Sequence, residues 1–239
     1  MTDQIAAFAD RVDAGRQLAN DLCRRNYPSP IVLALPRGGV AVGYEIAHRL
    51  HAPLDIVAVR KLGAPHQPEL AIGAIAPGGI AIVDESAVRY LDIDDSEVDA
   101  IIDREAAEMW RREALYRGGM AASDLSERTA LVVDDGLATG LTAEAAVLAV
   151  RHRRPAGVVL AIPVCAPDTR DRLKPLVDDI VCLFAPPNFR AVGIWYQNFD
   201  QLTDEDVIAL LTRARQLALG HDAEMRLHPG SRCPSDPVN

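Results

Sequence analysis

Two adjacent acids, Asp134 and Asp135, stand between an apolar run and a stretch of small residues, an order that can do chemistry. The run Leu131-Val132-Val133 reads as a strand buried on both faces. The acids emerge where that strand ends, which is where open α/β sheets bind ligands. Ala138, Thr139, Gly140, Leu141 and Thr142 then bring consecutive backbone N–H groups to a helix start, and the two threonines add hydroxyl donors. Free N–H groups and the positive end of a helix dipole favour a phosphate there. An ionised carboxylate only accepts hydrogen bonds and a vicinal diol donates them, so Asp134 and Asp135 suit ribose hydroxyls. A phosphate cradle beside acceptors for a diol describes a ribose 5-phosphate. The plainer alternative is a solvated acidic turn with an ordinary helix cap.

Two other segments carry candidate chemistry. Leu35-Pro36-Arg37-Gly38-Gly39 closes another apolar run just before a helix. Paired glycines let a ligand approach the main chain, and Arg37 adds a fixed charge suited to phosphate oxygens. Taken alone, it is equally an ordinary strand-to-helix turn. The segment from Phe189 to Phe199 concentrates aromatics in a chain that is only 5% aromatic. Aromatic faces stack on planar bases, so Phe189, Arg190 and Trp195 are the candidates to line an acceptor pocket. The same spacing also suits Trp195, Tyr196 and Phe199 as packing residues.

The elements that must position these groups follow from periodicity. Phe8 to Arg24 reads as an amphipathic helix. Ile31 to Leu35 and Leu54 to Val59 read as strands joined by a helix from Val40 to about Leu50, a parallel βαβ unit. Arg60 to Gln67 reads as a loop, and Leu70–Ile75 with Gly79–Val83 as a hairpin about Pro77-Gly78. Ser96 to Arg117 reads as a long helix with Ser96 and Asp99 in a capping-box pattern, ended by Gly118-Gly119. After the acidic strand come a helix to about Arg153, a strand over Gly157–Ile162, a short helix from Asp168 and a strand over Ile180–Phe184. A final helix runs from Thr203 to about Leu219. The fold class is α/β: a parallel central sheet flanked by helices, with a small hood or flap subdomain. One domain is expected over 1–219, with a flap at about 62–118, a hood at about 186–200 and a disordered tail over 220–239.

The acidic segment, Asp134-Asp135-Gly136-Leu137-Ala138-Thr139-Gly140, resembles the phosphoribosyl-pyrophosphate motif of type I phosphoribosyltransferases. Phe8, Asp10-Arg11, Ala14-Gly15-Arg16, the Arg37 loop and Arg60-Lys61-Leu62-Gly63 extend the resemblance to a bacterial group of such proteins, over about Phe8 to Leu219. The resemblance implies that Asp134 and Asp135 hold the ribose and that Ala138 to Thr142 wrap its 5-phosphate. It implies that Arg37, Gly38, Gly39 and Lys61 meet the pyrophosphate, in a loop that often carries a non-trans peptide. It also implies Mg²⁺ held mainly by ligand oxygens and water, with Asp134 and Asp135 available to it, and a homodimer. Asp134, Asp135, Lys61 and Arg37 are then the catalytic set. At the position where similar 6-oxopurine enzymes carry an acid, this chain has Ala138, as the adenine enzymes do.

The bulk properties limit the alternatives. The 239 residues are 49% hydrophobic, enough for a full core, and the formal charge of −9 argues against a general nucleic-acid or anionic-membrane binder. No apolar run is long enough to span a bilayer, and no basic leader opens the chain. Cys23, Cys165, Cys182 and Cys233 lack metal-ligand spacing, which suggests a reduced cytoplasmic protein. The expected function is transfer of ribose 5-phosphate from phosphoribosyl pyrophosphate to a nitrogenous base, releasing pyrophosphate. The competing expectations are a regulator that binds phosphoribosyl pyrophosphate or a nucleotide without turnover, and a phosphoester hydrolase on the same cradle.

Overall fold

The computed structural model describes residues 6–227, and their side chains as far as residue 218. Five parallel strands form the central sheet: β1 (Pro30–Ala34), β2 (Leu54–Ile56), β6 (Thr129–Val133), β7 (Gly157–Val164) and β8 (Asp179–Phe184). Their spatial order is β2-β1-β6-β7-β8. The chain therefore leaves β1 toward one edge and later returns to build toward the other. The crevice beyond the carboxyl ends of β1 and β6 is the topological switch point, the place where such sheets bind ligands.

Alternate residues of these strands feed two cores. Val32, Ala34, Leu131, Val133, Val159 and Ala161 pack against α1 (Arg11–Arg25), α2 (Gly38–Leu50) and α7 (Asp204–Leu227). Ile31, Leu33, Ala130, Val132, Val158 and Leu160 pack against α5 (Leu141–His152) and against Leu173 of α6 (Pro167–Leu173). This burial on both faces explains why the strands read as unbroken apolar runs.

Three antiparallel strands form a second, small sheet: β3 (Arg60–Ala64), β4 (Gln67–Ala76) and β5 (Ile80–Val83). Ala74 and Ala76 meet Ala145 and Ala149 of α5, so small side chains let the small sheet lie close to that helix. It is followed by α3 (Glu85–Tyr90) and the long α4 (Asp95–Arg117).

Several local expectations give way to tertiary context. Arg60 to Ala64 is a strand rather than a loop, because it pairs with β4 through an irregular register and Arg60 is tied to Glu105 of α4 at 2.7 Å. Asp94 with Glu97 forms the capping box of α4, ahead of Ser96 and Asp99; Gly118 ends the helix at φ 61°. Phe8 lies outside α1 and forms a bridge to Tyr196, and Asp10 caps the helix instead, accepting the Asp13 N–H at 2.8 Å. The last helix continues to Leu227, past Leu219. Residues 228–239, the remainder of the tail expected to be disordered, lie outside the described residues.

Candidate active site

The two chemical loops meet at the switch point. The Leu35 N–H donates to the Val133 carbonyl at 2.8 Å, so the β1 and β6 ends leave the sheet side by side. Gly38 then faces Asp135 directly: a Cβ on Gly38 would overlap the Asp135 carboxylate and come within 3.0 Å of Arg11 Nε. Only a residue without a side chain allows this approach, which gives the glycine pair a structural reason. The peptide bond between Pro36 and Arg37 is cis.

Past the acids the chain turns into α5 through Gly140, at φ 71°. A Cβ there would strike Thr169, and the left-handed backbone excludes most other residues. The carbonyls of this turn are held by α6: Thr169 Oγ1 donates to Ala138 O at 2.6 Å, and Arg172 donates to Thr139 O at 2.6 Å. Arg172 is also paired with Glu144. With the carbonyls held this way, the N–H groups of Ala138, Thr139, Gly140, Leu141 and Thr142 have no protein acceptor among the described residues. Ala138 and Thr139 are exposed. A row of free amides at the start of a helix is an anion site by its own electrostatics.

The acids differ from each other. Asp135 accepts from Arg11 Nε at 2.7 Å, and its backbone carbonyl accepts the Tyr196 hydroxyl at 2.5 Å. Arg11 lies 3.8 Å over the Phe199 ring and donates to the Asp200 carbonyl at 2.8 Å. Asp134 accepts the Asp135 N–H at 2.8 Å. Burial pushes the Asp134 carboxyl well above the usual range, and the Asp135 charge adds to it. Burial also raises Asp135, with Arg11 working in the opposite direction.

Asp134, Asp135, Gly38 and Gly39 thus converge, and the Ala138–Thr142 turn follows directly in the chain. Arg37 begins α2 and lies 3.9 Å from Asp204, which also accepts the Tyr116 hydroxyl at 2.7 Å. Lys61 is on β3, where its Nζ donates to the Glu69 carbonyl at 3.0 Å; no contact among the described residues joins it to the two loops. Trp195 is buried with Phe8, Val164 and Tyr196 and packs the hood onto the core; its indole N–H has no acceptor among the described residues. Phe189 is half-buried against that cluster and Arg190 is exposed. The residue not foreseen as part of the site is Arg11. Its only signal in the sequence was its place in the Asp10-Arg11 pair, and a contact spanning 124 positions has no local pattern.

Comparison with known proteins adds the decisive observation: the model of the phosphoribosyl transferase domain matches residues 1–193. The chain belongs to the phosphoribosyl transferase domain family. Two Mycobacterium tuberculosis proteins, from strains CDC 1551 / Oshkosh and ATCC 25618 / H37Rv, are provisionally named phosphoribosyl transferases. Each is 44% identical to this chain over 209 residues, covering 87% of it and 47% of the relative. The chain thus spans about half the length of the curated relatives it matches. The crystal structure of TT1426 from Thermus thermophilus is 41% identical and superposes with a TM-score of 0.72, covering 86% of this chain and 98% of that one. In this phosphoribosyl transferase domain the two acids and the free amides follow the carboxyl end of β6, one of the two central strands that flank the switch point. No described helix is long and apolar enough to cross a membrane.

Proposed function

We propose that this phosphoribosyl transferase domain transfers ribose 5-phosphate from phosphoribosyl pyrophosphate to a nitrogenous base. The observation that carries the reading is the row of unbonded amides from Ala138 to Thr142 beside Asp134 and Asp135. The amides hold the 5-phosphate, and the carboxylates accept from the ribose hydroxyls. Arg37 and the main chain at Gly38 and Gly39 receive the pyrophosphate. As the glycosidic bond lengthens, positive charge grows on the sugar and negative charge on the departing pyrophosphate, and fixed opposite charges stabilise both. Lys61 reaches the leaving group by releasing Glu69, whose side chain is fully exposed; such a surface pair holds a lysine by only about 0–1 kcal/mol. The acceptor base lies against Phe189 and Arg190, with Trp195 supporting them from below.

The donor set also suits Mg²⁺. Asp134 and Asp135 offer hard oxygen ligands, and the described residues contain no cluster of three or more His, Cys, Asp or Glu that would form a complete protein cage. Mg²⁺ keeps much of its water and is commonly bound through one or two carboxylates plus phosphate oxygens. When bound, it neutralises charge on the pyrophosphate. Asp134 is the protein group best able to share it, since Asp135 is engaged by Arg11.

The test is pyrophosphate release from phosphoribosyl pyrophosphate and Mg²⁺ across a panel of purine and pyrimidine bases. Release that depends on one base supports the proposal. Tight binding without turnover on any base would identify a sensor instead, and phosphate release without a base would identify a hydrolase. A homodimer and a cytoplasmic location belong to the same proposal, and sedimentation and cell fractionation test them.

A further inference from the structure

Cys165 and Cys182 lie outside the proposed reaction, yet they touch the segment that carries the phosphate turn. Their Sγ atoms are 3.1 Å apart, and both are free thiols. Cys165 is fully buried at the exit of β7, while Cys182 on β8 is partly exposed. A small oxidant therefore meets Cys182 first, with a second thiol waiting behind it.

The backbone around Cys165 is bonded to the turn. Leu137 N–H donates to Val164 O at 2.9 Å, and Ala166 N–H donates to Leu137 O at 3.0 Å, so residues on either side of Cys165 grip Leu137. Just beyond, α6 and the residues of its last turn supply the Thr169 and Arg172 donors that hold the Ala138 and Thr139 carbonyls. Those are the bonds that leave the adjoining amides free. A disulfide needs its sulfurs about 2.05 Å apart, so closing the bridge draws them together by about 1 Å. β8 is an edge strand paired only with β7, and Cys165 is tied both to it, through its N–H to the Phe184 carbonyl at 3.0 Å, and to Leu137 through a bridge. Closing the bridge therefore pulls on the β8 edge and on the Cys165 segment together, and the Cys165 segment passes its share to Leu137 and the turn.

We propose that Cys165 and Cys182 form a reversible disulfide by exchange with a low-molecular-weight disulfide, and that closing it weakens anion binding at the Ala138–Thr142 turn. The Cys182 thiolate attacks one sulfur of the small disulfide, joins it as a mixed disulfide and expels the first small thiol. Cys165 Sγ then attacks Cys182 Sγ, forming the protein disulfide and expelling the second. The two protons lost by the cysteines end on the two released thiols, and the small disulfide is the oxidant. The order agrees with the thiols' surroundings: the hydrogen bond from Cys165 lowers the Cys182 pKa, while that bond and burial raise Cys165. The claim about anion binding rests on the phosphate reading of the turn; the bridge itself does not.

The experiment incubates the full chain with oxidised glutathione, alkylates the remaining thiols and maps peptides by mass. The expected result is a Cys165–Cys182 cross-linked peptide with Cys23 and Cys233 alkylated. Cys165→Ser stops at a glutathione adduct on Cys182, and Cys182→Ser takes up nothing at Cys165. Ribose 5-phosphate affinity falls roughly tenfold in the bridged protein and returns with dithiothreitol. Alkylation of both cysteines after oxidation overturns the bridge. A bridge with unchanged affinity overturns the coupling. Absence of ribose 5-phosphate binding in reduced and oxidised protein alike would reject the reading of the turn, while the mass result still decides the bridge.

Discussion

Two carboxylate–arginine pairs lie at nearly equal depth in this molecule and behave in opposite ways. Asp55 and Arg117 have side chains 8% and 9% exposed; Asp135 and Arg11 are 15% and 12% exposed. Asp55 accepts from Arg117 Nε at 3.2 Å, from its neighbour Ile56 N–H at 2.8 Å and from Ser123 N–H at 2.9 Å. Arg117 also donates to Ile56 O at 3.0 Å and pairs with Glu113. Burial acts to raise Asp55, but Arg117 and these backbone donors outweigh it and hold the group below the usual range. At Asp135 burial outweighs the pairing with Arg11, and its pKa rises. The balance between desolvation and the groups that hold the carboxylate sets the sign. The Asp55–Arg117 pair, whose charges are matched and backed by backbone bonds, locks α4 to β2. A site whose acceptors and amides remain unfilled leaves room for a ligand to supply what is missing.

The largest test of this contrast is Arg117→Met. It leaves Asp55 and Glu113 buried without their cation, and the expected loss is about 3–5 kcal/mol in denaturant unfolding. Ribose 5-phosphate affinity of the folded variant stays at the wild-type value. A loss below about 1 kcal/mol would remove the structural role assigned to this cluster.

Asp135→Asn acts at the other pair. It removes a charged acceptor, and ribose 5-phosphate affinity should fall by about 1.5–3 kcal/mol, roughly ten- to a hundredfold, by calorimetry. Unchanged affinity would move the ribose away from Asp135.

Asp134→Asn separates the two pairs by their pH dependence. Because the folded state raises the Asp134 pKa, folding takes up a proton above the ordinary aspartate range, and the ionised group disfavours the fold there. Its removal should stabilise the protein by about 1 kcal/mol near neutral pH. That gain should shrink as pH falls toward the unfolded aspartate pKa, where wild type is protonated in both states. Ligand affinity should fall in the same variant. Asp55 has the opposite sign: its contribution is present above the unfolded pKa and is lost as pH falls through its lower folded value.

The smallest stability effect belongs to Lys61→Met. Its partner Glu69 is exposed, so unfolding stability should change by less than about 0.5 kcal/mol. Phosphoribosyl pyrophosphate turnover should nonetheless fall while ribose 5-phosphate affinity holds. Equal loss of both would place Lys61 outside the leaving-group region.

Much of this arrangement was legible in the chain because its determinants are local. The sheet strands announce themselves as doubly buried runs, as in Thr129–Val133, and the turn to α5 as small residues around Gly140. Gly118 marked a helix end correctly for the same reason. What the sequence hid depends on distant partners. Arg60–Ala64 becomes a strand only because β4 and Glu105 receive it. The Asp55–Arg117 cluster spans 62 positions, and the Arg11–Asp135 pair 124, so neither has a periodic trace. Trp195 carried a binding signature and a packing signature at once, and only its burial with Phe8 and Tyr196 separates them.

In the proposed reaction the amides from Ala138 to Thr142 receive the phosphate of a ribose 5-phosphate while the neighbouring acids receive its hydroxyls. Titration of ¹⁵N-labelled protein with ribose 5-phosphate, followed amide by amide, tests it directly. The largest shifts are expected on the N–H groups of residues 138–142 and on Asp134 and Asp135, at one common affinity. Saturable binding that leaves those amides unmoved would contradict this placement of the ligand.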